Sequence, residues 1–449
     1  MQHLLENIKE YMDMLDDTQL RTTVSELTVA ELIEVWDFLN EKEKLRLFLL
    51  FDHDVKSEFI TELSTADQEF LIVELSEQAT KNMLEEMRPD DLVDLIQAIS
   101  PENRESLWQN MSEESRRETE FLLRFDEDDA AGLMTPRYAA IQGDITVDQA
   151  LKFIRRTLDK LETIYYIYVV DKLKRLTGVV SLKQILAADD RALIYDIMEE
   201  HVIYVRDDTD QEETAKVLED HDLLALPVVD KFNRLLGIIT FDDVIDVIRE
   251  EQTEDIYKMG AMGGNTDSYL ESSVPQLVLK RLPWLVILLL AGTITTNVLS
   301  SFNDLILAAS FLTLFIPVIT QTGGNCGTQS STLMIRGLAT DELHFRDIWK
   351  VIGKEIMVGL IIGLSTGVII FLRGLFLPPG IELIQAITVG ISLSAVVIFA
   401  TVLGALVPLM IHRLGFDPTV AAGPLMSTVI DVIGLTIYFK VAMMILGIG

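Results

Sequence analysis

From residue 276 onward the chain carries five apolar segments, near 282–300, 306–320, 351–375, 384–411 and 419–446. A helix needs about 20 such residues to cross a bilayer, so this half predicts an α-helical transmembrane bundle of five spans. The last segment is the most constrained. Asp431 stands near its middle, and Gly423-Pro424 interrupts it one to two turns earlier. A carboxylate at that depth costs roughly 2.5–3.5 kcal/mol on insertion scales and ordinarily faces a water-filled cavity or a bound cation. The alternative is an ion pair with Lys440, which lies nine residues on and beyond same-helix reach.

The second segment is short and runs through Pro317 into the polar, glycine-rich stretch "TQTGGNCGTQSSTLMIRG". Irregular backbone at membrane depth is tolerated where it is buried in protein or lines a cavity. Two breaks, Gly323 to Gln329 and Gly423-Pro424, would meet if the second and fifth segments are neighbours. Carbonyls freed near Gly324, Gly327, Gly423 and Pro424, the Asn325 amide and the Asp431 carboxylate would form an oxygen-rich pore site. Oxygen ligands favour hard cations, and one carboxylate with neutral oxygens suits a largely hydrated Mg²⁺ better than Ca²⁺. Gly359, Gly363 and Gly367 form a small-residue stripe for close helix packing. Basic residues before the first span, between the second and third, and between the fourth and fifth place the soluble half in the cytoplasm and the C-terminus outside.

Charge divides the chain at the same place. From Gln276 there are nine Lys/Arg and eight Asp/Glu, leaving 28 basic and 62 acidic residues in the first 275. Such an acidic part argues against nucleic acid, which needs Lys and Arg to displace counterions. The single cysteine, Cys326, excludes an internal disulfide framework and reads as packing rather than metal binding. The N-terminus lacks the basic and apolar regions of a signal peptide. No hydrolytic or nucleophilic constellation stands out, so the chain reads as something other than an enzyme.

Residues 1–130 predict an all-α superhelix of short hairpins. Thr28-x-x-Glu31 and Thr65-x-x-Gln68 have capping-box spacing, Ser100-Pro101 pairs an N-cap with proline at N1, and Ser112 begins another helix. Residues 131–248 hold an internal repeat: Val169-Val170-Asp171 aligns with Val228-Val229-Asp230, and Gly178 through Ser181 with Gly237 through Thr240. This α/β repeat resembles a tandem pair of cystathionine-β-synthase (CBS) domains. The likeness implies ATP or another adenine nucleotide there. The Gly237, Thr240, Asp243 pattern matches the family's ribose contact, whereas the first copy has Ser181 and Gln184. Residues 249–275 continue as an acidic linking helix, and 276–449 form the pore domain. Asp90 and Asp94 lie four residues apart on one helix, which fits either a solvated face or a divalent cation held from outside the domain.

This order of parts resembles the MgtE family of magnesium channels, as do Gly324-Asn325-x-Gly327-x-Gln329, Asp417-Pro418 and Pro424…Thr428-x-x-Asp431-x-x-Gly434. The resemblance implies a multi-pass plasma-membrane homodimer with its pore between subunits, Mg²⁺ near Asp431, and closure when cytoplasmic Mg²⁺ is high. It further implies regulatory Mg²⁺ held by Asp90 and Asp94 with Asp243, Asp246, Glu251 and Glu254 opposite them, with Asp417 meeting Glu254 or Asp255 near the pore mouth and Glu58 matching only in approximate position. Two other readings are a Na⁺- or H⁺-coupled divalent-cation carrier and a membrane-anchored nucleotide sensor.

Overall fold

The computed structural model describes residues 2–14, 17–263, 269, 272–378 and 380–448. Part of the expected linking segment, 264–268 and 270–271, lies outside the described residues. The chain is multidomain and divides into two compact units, Met1–Ile248 and Arg249–Gly449.

The first unit begins with short helices: α1 (Gln2–Asp13), α2 (Asp17–Ser25), α3 (Val29–Trp36), α4 (Glu41–Leu50), α5 (His53–Thr61), α6 (Thr65–Glu74), α7 (Glu77–Glu86), α8 (Pro89–Ala98), α9 (Pro101–Asn110) and α10 (Glu113–Leu122). Side-chain capping ends most of the breaks between them. Thr28 makes the reciprocal capping box with Glu31, and Ser112 accepts from the Ser115 amide. The cap of α6 is Ser64 rather than Thr65, its hydroxyl accepting from the Asp67 amide. Both residues offer a hydroxyl at an N-cap position, and the turn geometry chose the earlier one. Trp36, Phe48, Phe51 and Phe59 pack edge-on at the centre of this layer. The Trp36 Nε1–H donates to Asp67, which also pairs with Lys44.

The α/β part follows as β1 (Ala140–Ile141), α11 (Val147–Thr157), β2 (Tyr166–Val170), β3 (Leu176–Ser181), α12 (Leu182–Ala187), α13 (Ile194–Ile197), β4 (Val205–Arg206), α14 (Gln211–Asp220), β5 (Ala225–Val229), β6 (Leu235–Thr240) and α15 (Phe241–Met259). Two three-stranded sheets, β1-β2-β3 and β4-β5-β6, repeat one register. Val169 lies opposite Gly178 and Val228 opposite Gly237, each followed by the same irregularity. In both turns the aspartate does local work: Asp171 accepts from the Leu173 and Arg175 amides, and Asp230 from those of Phe232 and Arg234. α15 is continuous from β6 and crosses the division between the units.

The second unit contains α16 (Val274–Ser301), α17 (Asn303–Ala308), a 3₁₀ turn at Ser310–Phe315, α18 (Ile316–Ala339), α19 (Ile348–Phe376), α20 (Leu383–Arg413), a 3₁₀ turn at Pro418–Ala421 and α21 (Gly423–Leu446). Among the described residues, four helices are long and apolar enough to cross a membrane: α16, α19 with its leading turn, α20 and α21. The unit is an apolar helical bundle of the multi-pass membrane kind. The expected second span differs from the other four. Its N-terminal part is broken at Ala309, and its C-terminal part, α18, is too polar to qualify by composition.

Two expectations about backbone breaks are corrected here. The Gly323–Gln329 run is not interrupted but lies wholly inside α18, so its carbonyls belong to the helical ladder and Gly324 and Gly327 offer no freed oxygen. Gly423-Pro424 does not interrupt a helix either; it begins α21. Proline at the first turn removes an N–H that has no intrahelical partner in any case, so no carbonyl is released.

Candidate functional site

Glycine at 327 permits the close approach that defines the membrane site. A Cβ there would run into Ile430 of α21 and approach the Ala400 carbonyl of α20, while Gly404 closes on the Gly327 backbone from the other side. α18 therefore sits tightly against α20 and α21. Its outer face carries Gln321, Asn325 and Gln329, all exposed and spaced one helical turn apart. Asp431 on α21 is half-buried. Among the described residues it forms no ion pair, and Lys440 does not reach it. A strip of amides next to the helix that carries an unpaired carboxylate cannot face lipid without large cost.

One residue of this unit escaped the sequence reading. Glu355 is buried on α19, within the third apolar segment. It accepts a 2.8 Å hydrogen bond from Ser330 of α18, and the Thr401 hydroxyl of α20 reaches its backbone carbonyl. An acid inside an apolar run was the available signal. Together with Ser331, whose hydroxyl donates to the Ala421 carbonyl, this contact pins the polar half of α18.

At the other end of α21, Gly423 adopts a left-handed conformation (φ 56°) that only glycine enters easily, beneath the Met259 carbonyl. Here the end of α15 meets the turn before α21. Asp417 and Glu254 do not touch directly; Lys258 joins them, 2.8 Å from each. Burial would raise the Asp417 carboxyl, but Lys258 and the Thr419 donors outweigh it and hold the group below its usual range. Asp255 goes the other way. Burial, reinforced by the Asp417 charge, pushes it up to about 6. Glu251 lies one turn earlier on α15.

The remaining acids gather in the first unit. Glu58, Glu62, Glu86, Asp91, Asp242, Asp243 and Asp246 line a cleft of about 420 Å³, and Arg88 is the basic residue among them. A smaller adjoining cavity is lined by Asp90, Asp94, Glu127 and again Asp243. Residues scattered from position 58 to 246 thus share one acidic region. Asp90 is buried, and among the described residues its Oδ1 has no hydrogen-bond partner. Burial, with Asp91 and Asp243 nearby, pushes its carboxyl well above the ordinary range. Burial also lifts Asp243 to about 6, although Thr240 donates to it and Arg88 lies 3.9 Å away. An orphaned, buried carboxylate oxygen fits a cation site. Among the described residues, no group of three or more such side chains stands close enough to hold an ion directly.

Comparison with known proteins agrees in extent as well as kind. A family model described as a divalent cation transporter matches residues 316–441, one for the MgtE intracellular N domain matches 27–128, and CBS domain models match 130–191 and 194–250. The chain is 40% identical to the magnesium transporter MgtE of Thermus thermophilus, over 98% of each chain. It is 32% identical to that of Bacillus subtilis, over 94% of this chain and 93% of the relative. Among solved structures, it resembles the cytosolic domain of the Mg²⁺ channel MgtE in complex with ATP (TM-score 0.53, 39% identity, 54% of this chain and 99% of that one). It also resembles the soluble part of a magnesium transporter (TM-score 0.51, 30% identity, 55% of this chain and 98% of that one).

Proposed function

Because the chain belongs to the MgtE family of divalent cation transporters, we propose that it conducts Mg²⁺ across the cell membrane into the cytoplasm. The observation that carries this reading is the amide strip Gln321, Asn325, Gln329 on α18, next to the helix on which Asp431 stands without a counterion among the described residues. Amides and one carboxylate can hold a hydrated Mg²⁺ through its waters without stripping it. The exposed polar strip also favours a homodimer, in which a second copy would cover it and leave a wet path between subunits. The N-terminal unit would be cytoplasmic and the C-terminus outside, as the loop charges argue.

Closure by Mg²⁺ forms the second part of the proposal. Mg²⁺ taken up by Asp90, Asp94, Asp243, Asp246 and Glu58 in the first unit, and by Glu251, Glu254, Asp255 and Asp417 in the second, would relieve mutual repulsion among these acids. Such binding shifts the pore equilibrium only by its differential affinity for the two states. An adenine nucleotide such as ATP would sit at the second repeat, beside Thr240 and Asp243. Nucleotide and Mg²⁺ would then draw on one carboxylate.

The test is Mg²⁺ flux into proteoliposomes with no Na⁺ or pH gradient, comparing wild type with Asp431→Asn. Wild-type flux, reduced roughly tenfold or more by loss of the pore charge, supports a passive Mg²⁺ path. Flux that appears only with a Na⁺ or H⁺ gradient points to a coupled carrier. Absence of flux under every condition from folded protein leaves the nucleotide sensor.

A further inference from the structure

Arg88 occupies a place where local physics disfavours it. It is the N-cap of α8, with Pro89 at N1 and no side-chain capping bond. Ser, Thr, Asp and Asn are the residues that stabilise this position, and a cation there opposes the helix dipole. The guanidinium instead reaches acids on three elements. It lies 2.8 Å from Asp91 of α8, 3.1 Å from Glu162 in the loop before β2, and 3.7 and 3.9 Å from Asp242 and Asp243 of α15. It is thus held tightly by Asp91 and Glu162 and only loosely by the acids of α15. Asp90 next to it keeps a buried oxygen that has no hydrogen-bond partner among the described residues.

We propose that Arg88 is a resident counter-cation that sets the Mg²⁺ threshold of the acidic cleft. This rests on the reading that Mg²⁺ in the cleft closes the pore. Arginine stays charged at any physiological pH. Its fixed positive charge stabilises the metal-free cleft by partial neutralisation. The same charge repels an arriving Mg²⁺ across a few ångströms. Because Arg88 reaches Asp243 only at 3.9 Å and Asp90, among the described residues, keeps an oxygen without a hydrogen-bond partner, the neutralisation is incomplete, and the cleft still draws a divalent ion. The affinity is thereby held down to a level at which occupancy can follow a changing cytoplasmic concentration rather than saturate.

The experiment uses the full-length chain with two readouts: the Mg²⁺ concentration that half-inhibits flux from the side of the soluble unit, and the one that half-protects that unit from proteolysis in detergent. Arg88→Gln should lower both midpoints by roughly three- to tenfold, and its metal-free form should be cut faster than wild type. Arg88→Lys keeps the charge and should stay within about twofold of wild type. Asp91→Asn, which removes the carboxylate that grips the guanidinium most closely, should raise both midpoints. The double variant Arg88→Gln, Asp91→Asn should return toward wild type. Midpoints for Arg88→Gln that are unchanged or higher overturn the inference and make Arg88 a structural strut. If Arg88→Gln does not fold, an Asp91→Asn midpoint at or below wild type overturns it equally. Wild-type flux indifferent to Mg²⁺ on that side would instead sink the gating reading on which it rests.

Discussion

The carboxylate of the membrane unit and the carboxylates of the soluble cleft face opposite requirements. Asp431 has no cation within ion-pair distance among the described residues, whereas the cleft acids surround Arg88. If Asp431 admits and releases a passing ion as proposed, an uncompensated but half-wet carboxylate serves that role. A group that must report a concentration gains from a built-in competitor. Lys258 lies between these cases, tying Glu254 to Asp417 with a compact ammonium rather than a planar fork.

The harshest test of the comparison is packing at the membrane site. Gly327→Val would drive a branched side chain into Ile430, a clash worth about 1–3 kcal/mol or more. It should abolish flux and lower the thermal midpoint of the detergent-solubilised protein, whereas Mg²⁺ protection of the soluble unit should persist. Loss of both together would mean that the two regions are not separable. A smaller effect is expected from Lys258→Gln. The pair is about a third exposed on each side, so its net worth is below about 1 kcal/mol. If Lys258 acts like Arg88, the half-inhibiting Mg²⁺ concentration should fall by roughly twofold. A rise would mark Lys258 as a strut.

The mildest expected effect is on pH. Asp243 and Asp255 are raised to about 6 by burial, so the folded protein binds protons there that the unfolded chain, with pKa near 3.9, does not. The contribution of these two groups to metal-free stability therefore increases as pH falls from about 7 toward 5 and declines as pH rises through 6. Protons also compete with Mg²⁺ for the same oxygens. The half-protecting Mg²⁺ concentration should accordingly be higher at pH 5.5 than at pH 7.5. A protease-protection titration at both values checks the sign.

Much of this molecule was legible in its residues because the signals were local or periodic. The equivalence of the two repeats could be read from Val169-Val170-Asp171 against Val228-Val229-Asp230 and from Gly178 against Gly237, although the strand register that pairs Val169 with Gly178 and Val228 with Gly237 came from the structure. The capping of α3 by Thr28, the apolar segments and the isolated Asp431 needed no knowledge of distant contacts. The glycine-rich stretch misled because glycine lowers helix propensity by about 1 kcal/mol per residue. In α18 that cost is outweighed by the tight packing that Gly323 and Gly327 make possible against Val396 and Ile430. Gly423-Pro424 misled for a related reason, since the same dipeptide can break a helix or start one, and here it opens α21 with Gly423 in the left-handed region.

What the sequence by itself determined is therefore the kind of part at each place: short capped helices, a duplicated α/β motif, an acidic helix, apolar spans and the acid Asp431 within the last of them. Each is set by nearest-neighbour sterics, side-chain periodicity and the cost of burying charge. Only the tertiary structure decided which acids share a cleft, and that a cation stands among them. Arg88 with Glu162 and Asp243, Lys258 with Asp417, and Ser330 with Glu355 are pairs far apart in the chain. Their energies depend on a distance and a local dielectric that exist only once the elements have packed.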